Sequence, residues 1–145
     1  MKTEIRKADA SDLDFIAALE KESFSLPESR EDFEKMLDNP EKHLLVATLD
    51  GVRAGYICAY TVCRESDILT VAVSSDFRKK GIGRALVSAL FDTLCGESDT
   101  LFLEVRQSNA AARALYEGLG FCEVGMRKNY YKLPTENAVL YKKDL

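Results

Sequence analysis

The segment that most constrains this chain joins a predicted strand to a predicted helix near its middle. The apolar run of residues 69–73 comes before it, and leucines four residues apart come after it as far as Leu94. Gly81 and Gly83 would let a ligand approach the backbone, and the unpaired first-turn amides of a helix attract anions. An ordinary solvated turn is the alternative. The nearby cations favour a phosphate site: Arg78, Lys79, Lys80 and Arg84.

Hydrophobic periodicity predicts seven strands and four helices along the chain. Helices are expected over residues 11–23, 28–37, 81–95 and from Ser108 or Asn109 to Leu119. Strands are expected over residues 2–7, 43–49, 54–62, 68–73, 100–105, 121–126 and 139–142. Asp50-Gly51 is a strong hairpin signal, so an antiparallel meander should follow the second helix. This order predicts an α/β fold in a single domain, residues 1–145, with a mixed, mostly antiparallel sheet flanked by about four helices.

Composition and charge narrow the function classes. The chain has 145 residues, 46% of them hydrophobic, which suffices for one domain with a sizeable core. Its net charge of −4 argues against general nucleic-acid binding. The cysteines lack metal-ligand spacing and His43 is the single histidine, so we expect no metal site. We also expect the cysteines to be free thiols in the core and His43 to have a structural or surface position. No leader or membrane span is expected, and a cytosolic monomer is favoured.

A second informative block follows the strand predicted over residues 100–105. It contains the motifs L-E-V-R from Leu103, N-x-x-A-x-x-L-Y from Asn109 to Tyr116, and then Gly120-Phe121. These motifs resemble the RimI branch of the GNAT acetyltransferases, which acetylates the N-terminal amine of a ribosomal small-subunit protein. The segment from Arg78 resembles the GNAT loop Arg/Gln-x-x-Gly-x-Gly/Ala, and it matches neither G-x-x-x-x-G-K-[ST] nor G-x-G-x-x-G. The resemblance extends over nearly the whole chain and implies the GNAT fold.

The resemblance implies a site for acetyl-coenzyme A along the fourth strand and the loop after it. The residues implied to bind it are Val71, Ala72, Val73, Arg78, Lys79, Lys80, Gly81, Ile82, Gly83, Arg84 and Asn109. The strand residues would contribute backbone groups, because GNAT enzymes splay this strand and let the pantetheine arm pair with it. Capping of a helix is enough by itself to explain Asn109.

Glu104 and Tyr116 are the implied catalytic residues. Acyl transfer to an amine needs a neutral nitrogen and a proton for the departing thiolate. An α-amino group has a pKa of about 7.7 to 8.0, so a carboxylate that works through water suffices as the base. The resemblance assigns that role to Glu104 and the general acid to Tyr116. From the residues alone, a solvated or salt-bridged glutamate, with Arg106 as one partner, and a core tyrosine with a satisfied hydroxyl are the alternatives.

The chain departs from the RimI pattern at one position that bears on the acceptor. RimI-type sequences often carry Pro-Trp between the first two helices, where this chain has Pro27-Glu28. An acidic residue there favours a cationic N-terminus as the acceptor. A solvated glutamate at the start of a helix is the alternative for Glu28. The resemblance itself implies a protein N-terminus as partner, such as the alanine of a ribosomal protein, with neither nucleic acid nor membrane involved. The alternatives are a lysine, polyamine or small-amine acceptor, a noncatalytic acyl-coenzyme A module, and a domain that contacts ribosomes through Arg127, Lys128, Tyr130 and Tyr131.

Overall fold

Seven strands form one mixed sheet in the computed structural model, which describes residues 1–145. They are β1 (Thr3–Lys7), β2 (Lys42–Leu49), β3 (Val52–Val62), β4 (Glu65–Val73), β5 (Thr100–Arg106), β6 (Cys122–Tyr131) and β7 (Glu136–Asp144). Their order across the sheet is β1-β2-β3-β4-β5-β7-β6. Strands β4 and β5 pair in parallel, and all other neighbours pair antiparallel. The predicted fold class is therefore confirmed.

Helices cover both faces of this sheet, and each face has its own core. The helices are α1 (Leu13–Ser23), α2 (Arg30–Leu37), α3 (Ile82–Leu94) and α4 (Ala110–Gly118), and none could span a membrane. Successive strand residues point to opposite faces. Tyr56 and Ala72 lie in the core under α1 and α2, whereas Leu103 and Val105 lie in the core under α3 and α4.

Local sequence explains several turns and helix ends. Asp50 and Gly51 have φ angles of 49° and 82°, which a two-residue hairpin turn between β2 and β3 requires. Ser29 begins α2 through a capping box with Asp32. Asn109 caps α4, where its side chain accepts a hydrogen bond from Ala112 N at 3.1 Å. The predicted hairpin and the predicted cap at Asn109 are thus both present.

The last two strands are longer than the sequence predicted. Strand β6 continues to Tyr131 rather than ending at residue 126, and β7 begins at Glu136 rather than at residue 139. Residues 126–130 of β6 are all exposed, so no alternation of apolar and polar side chains marks this part of the strand.

The prediction that the cysteines are core residues was wrong for three of the four. Cys58 is buried, whereas Cys63, Cys95 and Cys122 are exposed. Cys63 lies in the turn between β3 and β4, Cys95 follows the last residue of α3, and Cys122 begins the edge strand β6. These positions lie outside both cores, and cysteine type alone did not reveal this.

Candidate active site

Strands β4 and β5 pair along only part of their length. Their register runs from Glu65 opposite Thr100 to Ile68 opposite Leu103 and then stops. Strand β4 has one extra residue, Leu69, where its register with β3 shifts. Beyond this point β4 still pairs with β3, and β5 still pairs with β7. The facing edges of β4 and β5 therefore keep backbone donors and acceptors that no neighbouring strand takes up.

A groove of about 830 Å³ lies where these two strands part. Its lining includes Leu69, Thr70 and Val71 of β4, Glu104, Val105 and Arg106 of β5, and Asn109, Ala112 and Tyr116 beside them. Both predicted catalytic residues thus line one groove, together with Val71 and Asn109 from the predicted cofactor set. Sequence reasoning missed Leu69 and Thr70, because a bulge is not visible in an apolar run. Ala72 is buried on the α1–α2 side of the sheet.

The loop between β4 and α3 has the backbone of an anion site. Lys79 and Gly81 have positive φ angles of 61° and 78°. The first hydrogen bond of α3 runs from Ala85 N to Gly81 O at 3.0 Å, so the preceding amides have no acceptor within the helix. The exposed cations around it are Arg78, Lys79, Lys80 and Arg84. The side chain of Ile82 is buried, so only its backbone can face a ligand. Such amides and charges suit a diphosphate.

Tyr116 has its ring in the core and its hydroxyl at the groove. The ring packs edge-on against Phe121 with centroids 5.6 Å apart. The hydroxyl makes no hydrogen bond within the protein, whereas every fully buried polar side-chain atom has a partner. The hydroxyl oxygen is therefore accessible from the groove that Tyr116 lines. Burial raises the pKa of Tyr116 to about 12, so the phenol is neutral near pH 7.

Glu104 presents its carboxylate on the opposite face of the sheet. Its neighbour Val105 packs under α3 and α4, so Glu104 points towards the α1–α2 side. Arg127 Nε lies 3.4 Å from Glu104 Oε1. The pKa of Tyr130 is raised, chiefly by the neighbouring Glu104 carboxylate and then by burial. The carboxylate thus lies among polar groups of β6.

The alternative expectation, a pair between Glu104 and Arg106, is not what the structure shows. Arg106 donates to the carbonyl oxygens of Pro134 and Lys132 at 2.9 and 3.0 Å and lies 3.4 Å from Glu136. These contacts hold the loop between β6 and β7. Arg106 therefore shapes the groove wall and does not neutralise Glu104.

Two loops border the groove on the side of Glu104. The loop between α1 and α2 contributes Phe24, Ser25, Leu26 and Glu28 to its lining. Ser25 Oγ donates to Leu133 O at 2.8 Å and so joins this loop to the one between β6 and β7. The pKa of Glu28 is raised, first by the neighbouring Asp32 carboxyl group and then by burial. Of this set, the sequence had singled out Glu28 alone.

His43 lies away from this groove. Its Nε2 is 2.9 Å from Thr61 Oγ1, and burial lowers the pKa of the ring. This hydrogen bond joins β2 to β3, which agrees with the structural or surface position expected from the sequence.

Comparison with known proteins identifies the family. The sequence profile of the acetyltransferase (GNAT) family matches residues 13–121, which is most of the chain. The chain belongs to the GNAT family. The Escherichia coli ribosomal protein bS18-alanine N-acetyltransferase is 37% identical over 88% of this chain and 86% of that protein. A Bacillus subtilis relative, provisionally named for the same activity, is 34% identical over 96% of this chain and 93% of its own.

Solved structures agree with this placement. The crystal structure of the Escherichia coli ribosomal-protein-S18-alanine N-acetyltransferase has a TM-score of 0.89 and 33% identity to this chain. The match covers 99% of this chain and 94% of that one. The predicted RimI-like identity is confirmed, and this GNAT protein is an enzyme of the N-acetyltransferase class.

Proposed function

We propose that this GNAT enzyme transfers the acetyl group of acetyl-coenzyme A to the α-amine of a protein N-terminus. The acceptor we propose is the N-terminal alanine of ribosomal protein bS18, because relatives that align with most of the chain are named for that reaction. One structural observation carries the chemistry. A single groove passes between β4 and β5, and it has Tyr116 on one face of the sheet and Glu104 on the other.

The donor side fits acetyl-coenzyme A, which supplies an acetyl thioester with a thiolate as its leaving group. The amides of the loop around Gly81, with its four cations, suit the diphosphate. The unpaired edge of β4 from Leu69 to Val73 suits an extended arm that contains amides, because backbone groups can pair with it as with another strand. The side chain of Asn109 accepts from Ala112 N, which leaves its amide N–H groups free to donate.

Glu104 is the general base of the proposed mechanism. A carboxylate is a weak base, but an α-amine with a pKa of about 8 is already partly neutral near pH 7. Glu104 therefore needs only to take up the last proton through a water molecule as the amine attacks. Arg127 and Tyr130 hold its carboxylate on the acceptor side.

Tyr116 is the proposed donor to the sulfur. A phenol with a pKa of about 12 carries its proton throughout the physiological range. A thiol has a pKa of about 8.5, so Tyr116 stabilises the developing thiolate chiefly by donating a hydrogen bond. Its free hydroxyl is suited to this, because no protein acceptor competes for the proton.

Acetylation of a short peptide that begins with alanine tests the proposal. Glu104→Gln and Tyr116→Phe should each lower kcat by about 100-fold, since each removes one proton-transfer group. Glu65→Gln and Tyr60→Phe make the same chemical changes outside the groove and should leave kcat unaltered. Normal turnover in both active-site variants would exclude this mechanism.

The same assay separates the other acceptors. Mass spectrometry of a peptide that carries both an α-amine and a lysine shows which nitrogen gains the acetyl group. Acetylation of lysine alone, or of polyamines alone, would replace the proposed acceptor. Tight binding of acetyl-coenzyme A without transfer to any amine would indicate a noncatalytic binding module. Action in the cytosol as a monomer stays a prediction from composition.

A further inference from the structure

A buried carboxylate that has no part in this mechanism lies beside the groove. Glu20, near the end of α1, is 3% exposed and contributes to the groove lining. Its partners are hydrogen-bond donors rather than cations. Burial of a charged group is costly, and it is tolerated when well-placed donors satisfy both oxygens. The positions of these donors show which segments of the chain Glu20 connects.

Two donors from different parts of the fold meet at this carboxylate. The Tyr56 hydroxyl donates to Glu20 Oε1, and Glu28 N donates to Oε2 at 2.8 Å. Tyr56 is fully buried on β3, and its ring packs edge-on against Phe33 of α2 with centroids 5.8 Å apart. Glu20 therefore connects the centre of the sheet to the loop that precedes α2.

The amide that Glu20 holds belongs to the acceptor side of the groove. Residues 24–28 lie outside helix and strand, and among their amides only Phe24 N is bonded into a helix, to Glu20 O at 3.0 Å. Phe24, Leu26 and Glu28 from this segment line the groove. The bond from Glu28 N to Glu20 therefore fixes the segment at its end next to α2, and the bond from Ser25 to Leu133 fixes it near its start.

We propose that Glu20 is a positioning residue that sets the affinity for the acceptor by holding residues 24–28 against the groove. This inference rests on the proposed function. An ionised carboxylate accepts both hydrogen bonds at once, whereas a glutamine amide has one acceptor oxygen. Glutamine at this position can accept from Glu28 N only by turning its NH2 group towards Tyr56, and the Tyr56 hydroxyl proton and one amide proton are then buried without an acceptor. Glutamine therefore matches glutamate in shape, but it cannot accept hydrogen bonds from both buried donors through separate oxygens.

Steady-state kinetics separates positioning from general support of the fold. Glu20→Gln should raise the KM for the alanine peptide about tenfold, with the KM for acetyl-coenzyme A unchanged. Tyr56→Phe keeps the contact with Glu28 N and should raise the peptide KM only about threefold. Glu22→Gln makes the same change at an exposed position of α1 and should alter neither KM. Equal changes in both KM values, or an effect of Glu22→Gln, would overturn the inference.

Hydrogen exchange tests the same tie without any turnover. In Glu20→Gln, the amides of residues 24–29 should exchange about tenfold faster than in the wild type, while those of α3 stay unchanged. Unchanged exchange in this segment overturns the inference even if the peptide KM rises. If the wild type acetylates none of the peptides, the proposed function fails. The exchange result then decides by itself whether Glu20 holds the loop.

Discussion

The proposed donor and acceptor sides of the site are built in different ways. The proposed donor side is made of consecutive residues, from the edge of β4 at Leu69, which lines the groove, through the neighbouring loop to Arg84, and it presents mainly backbone groups. The acceptor side combines side chains from α1, the loop before α2, β5 and β6. A ligand with a constant structure can be bound by a local, backbone-based site. The acceptor, which differs between enzymes of one fold, meets side chains that can change independently.

The pH dependence of the rate should come almost entirely from the acceptor side. We expect kcat/KM for the peptide to rise roughly 35- to 50-fold from pH 6 to pH 8, because the attacking amine must be neutral and its pKa is about 7.7 to 8.0. From pH 8.5 to pH 10 the rate should stay level, since Tyr116 with a pKa of about 12 keeps its proton. Initial rates at saturating acetyl-coenzyme A measure this. A fall in kcat/KM between pH 8.5 and pH 10 would argue against Tyr116 as the group that donates to the thiolate sulfur.

The donor side can be disturbed through one backbone position. Gly81→Ala places a Cβ on a residue with a φ of 78°, which costs about 1 to 2 kcal/mol. The loop should distort, and the KM for acetyl-coenzyme A should rise about tenfold while that for the peptide stays constant. Gly96→Ala is the matched control, because Gly96 has a φ of 80° at the other end of α3. If both variants raise the KM for acetyl-coenzyme A equally, the backbone geometry of the loop around Gly81 does not determine how that ligand binds.

A smaller effect should come from one charge on the acceptor side. Glu28→Gln removes a carboxylate from the groove wall but keeps the backbone bond to Glu20. We expect the peptide KM to rise about threefold, because a cationic N-terminus loses one partly exposed charge partner. The exposed Glu31 of α2 offers the control variant Glu31→Gln, which should change nothing. A shift in the KM for acetyl-coenzyme A instead would contradict the division between the two sides.

The backbone of the loop before α3 and the framework could be predicted from sequence because their signals are local. Asp50-Gly51 specifies the hairpin between β2 and β3 within two residues, and Gly81 takes the left-handed backbone conformation just before α3 begins. The motif around Glu104 marks the end of β5. Each of these features is decided by backbone sterics or by apolar periodicity, and both are visible in a short window.

The acceptor side could not be predicted in the same way because its contacts join distant segments. Ser25 and Leu133 are separated by 108 positions, and Tyr56 and Glu20 by 36. Glu20 follows Ile16 by four residues and so falls on the buried face of α1, but this spacing does not show which donors meet its carboxylate. The bulge at Leu69 also follows from how three strands meet, and the apolar run that contains it reads as an uninterrupted strand.

The parting of β4 and β5 makes the thermal stability of this fold depend on ligand concentration. A molecule that pairs with both exposed strand edges binds the native chain and has no equivalent site on the unfolded one. By mass action, the melting temperature should therefore rise with the concentration of such a molecule.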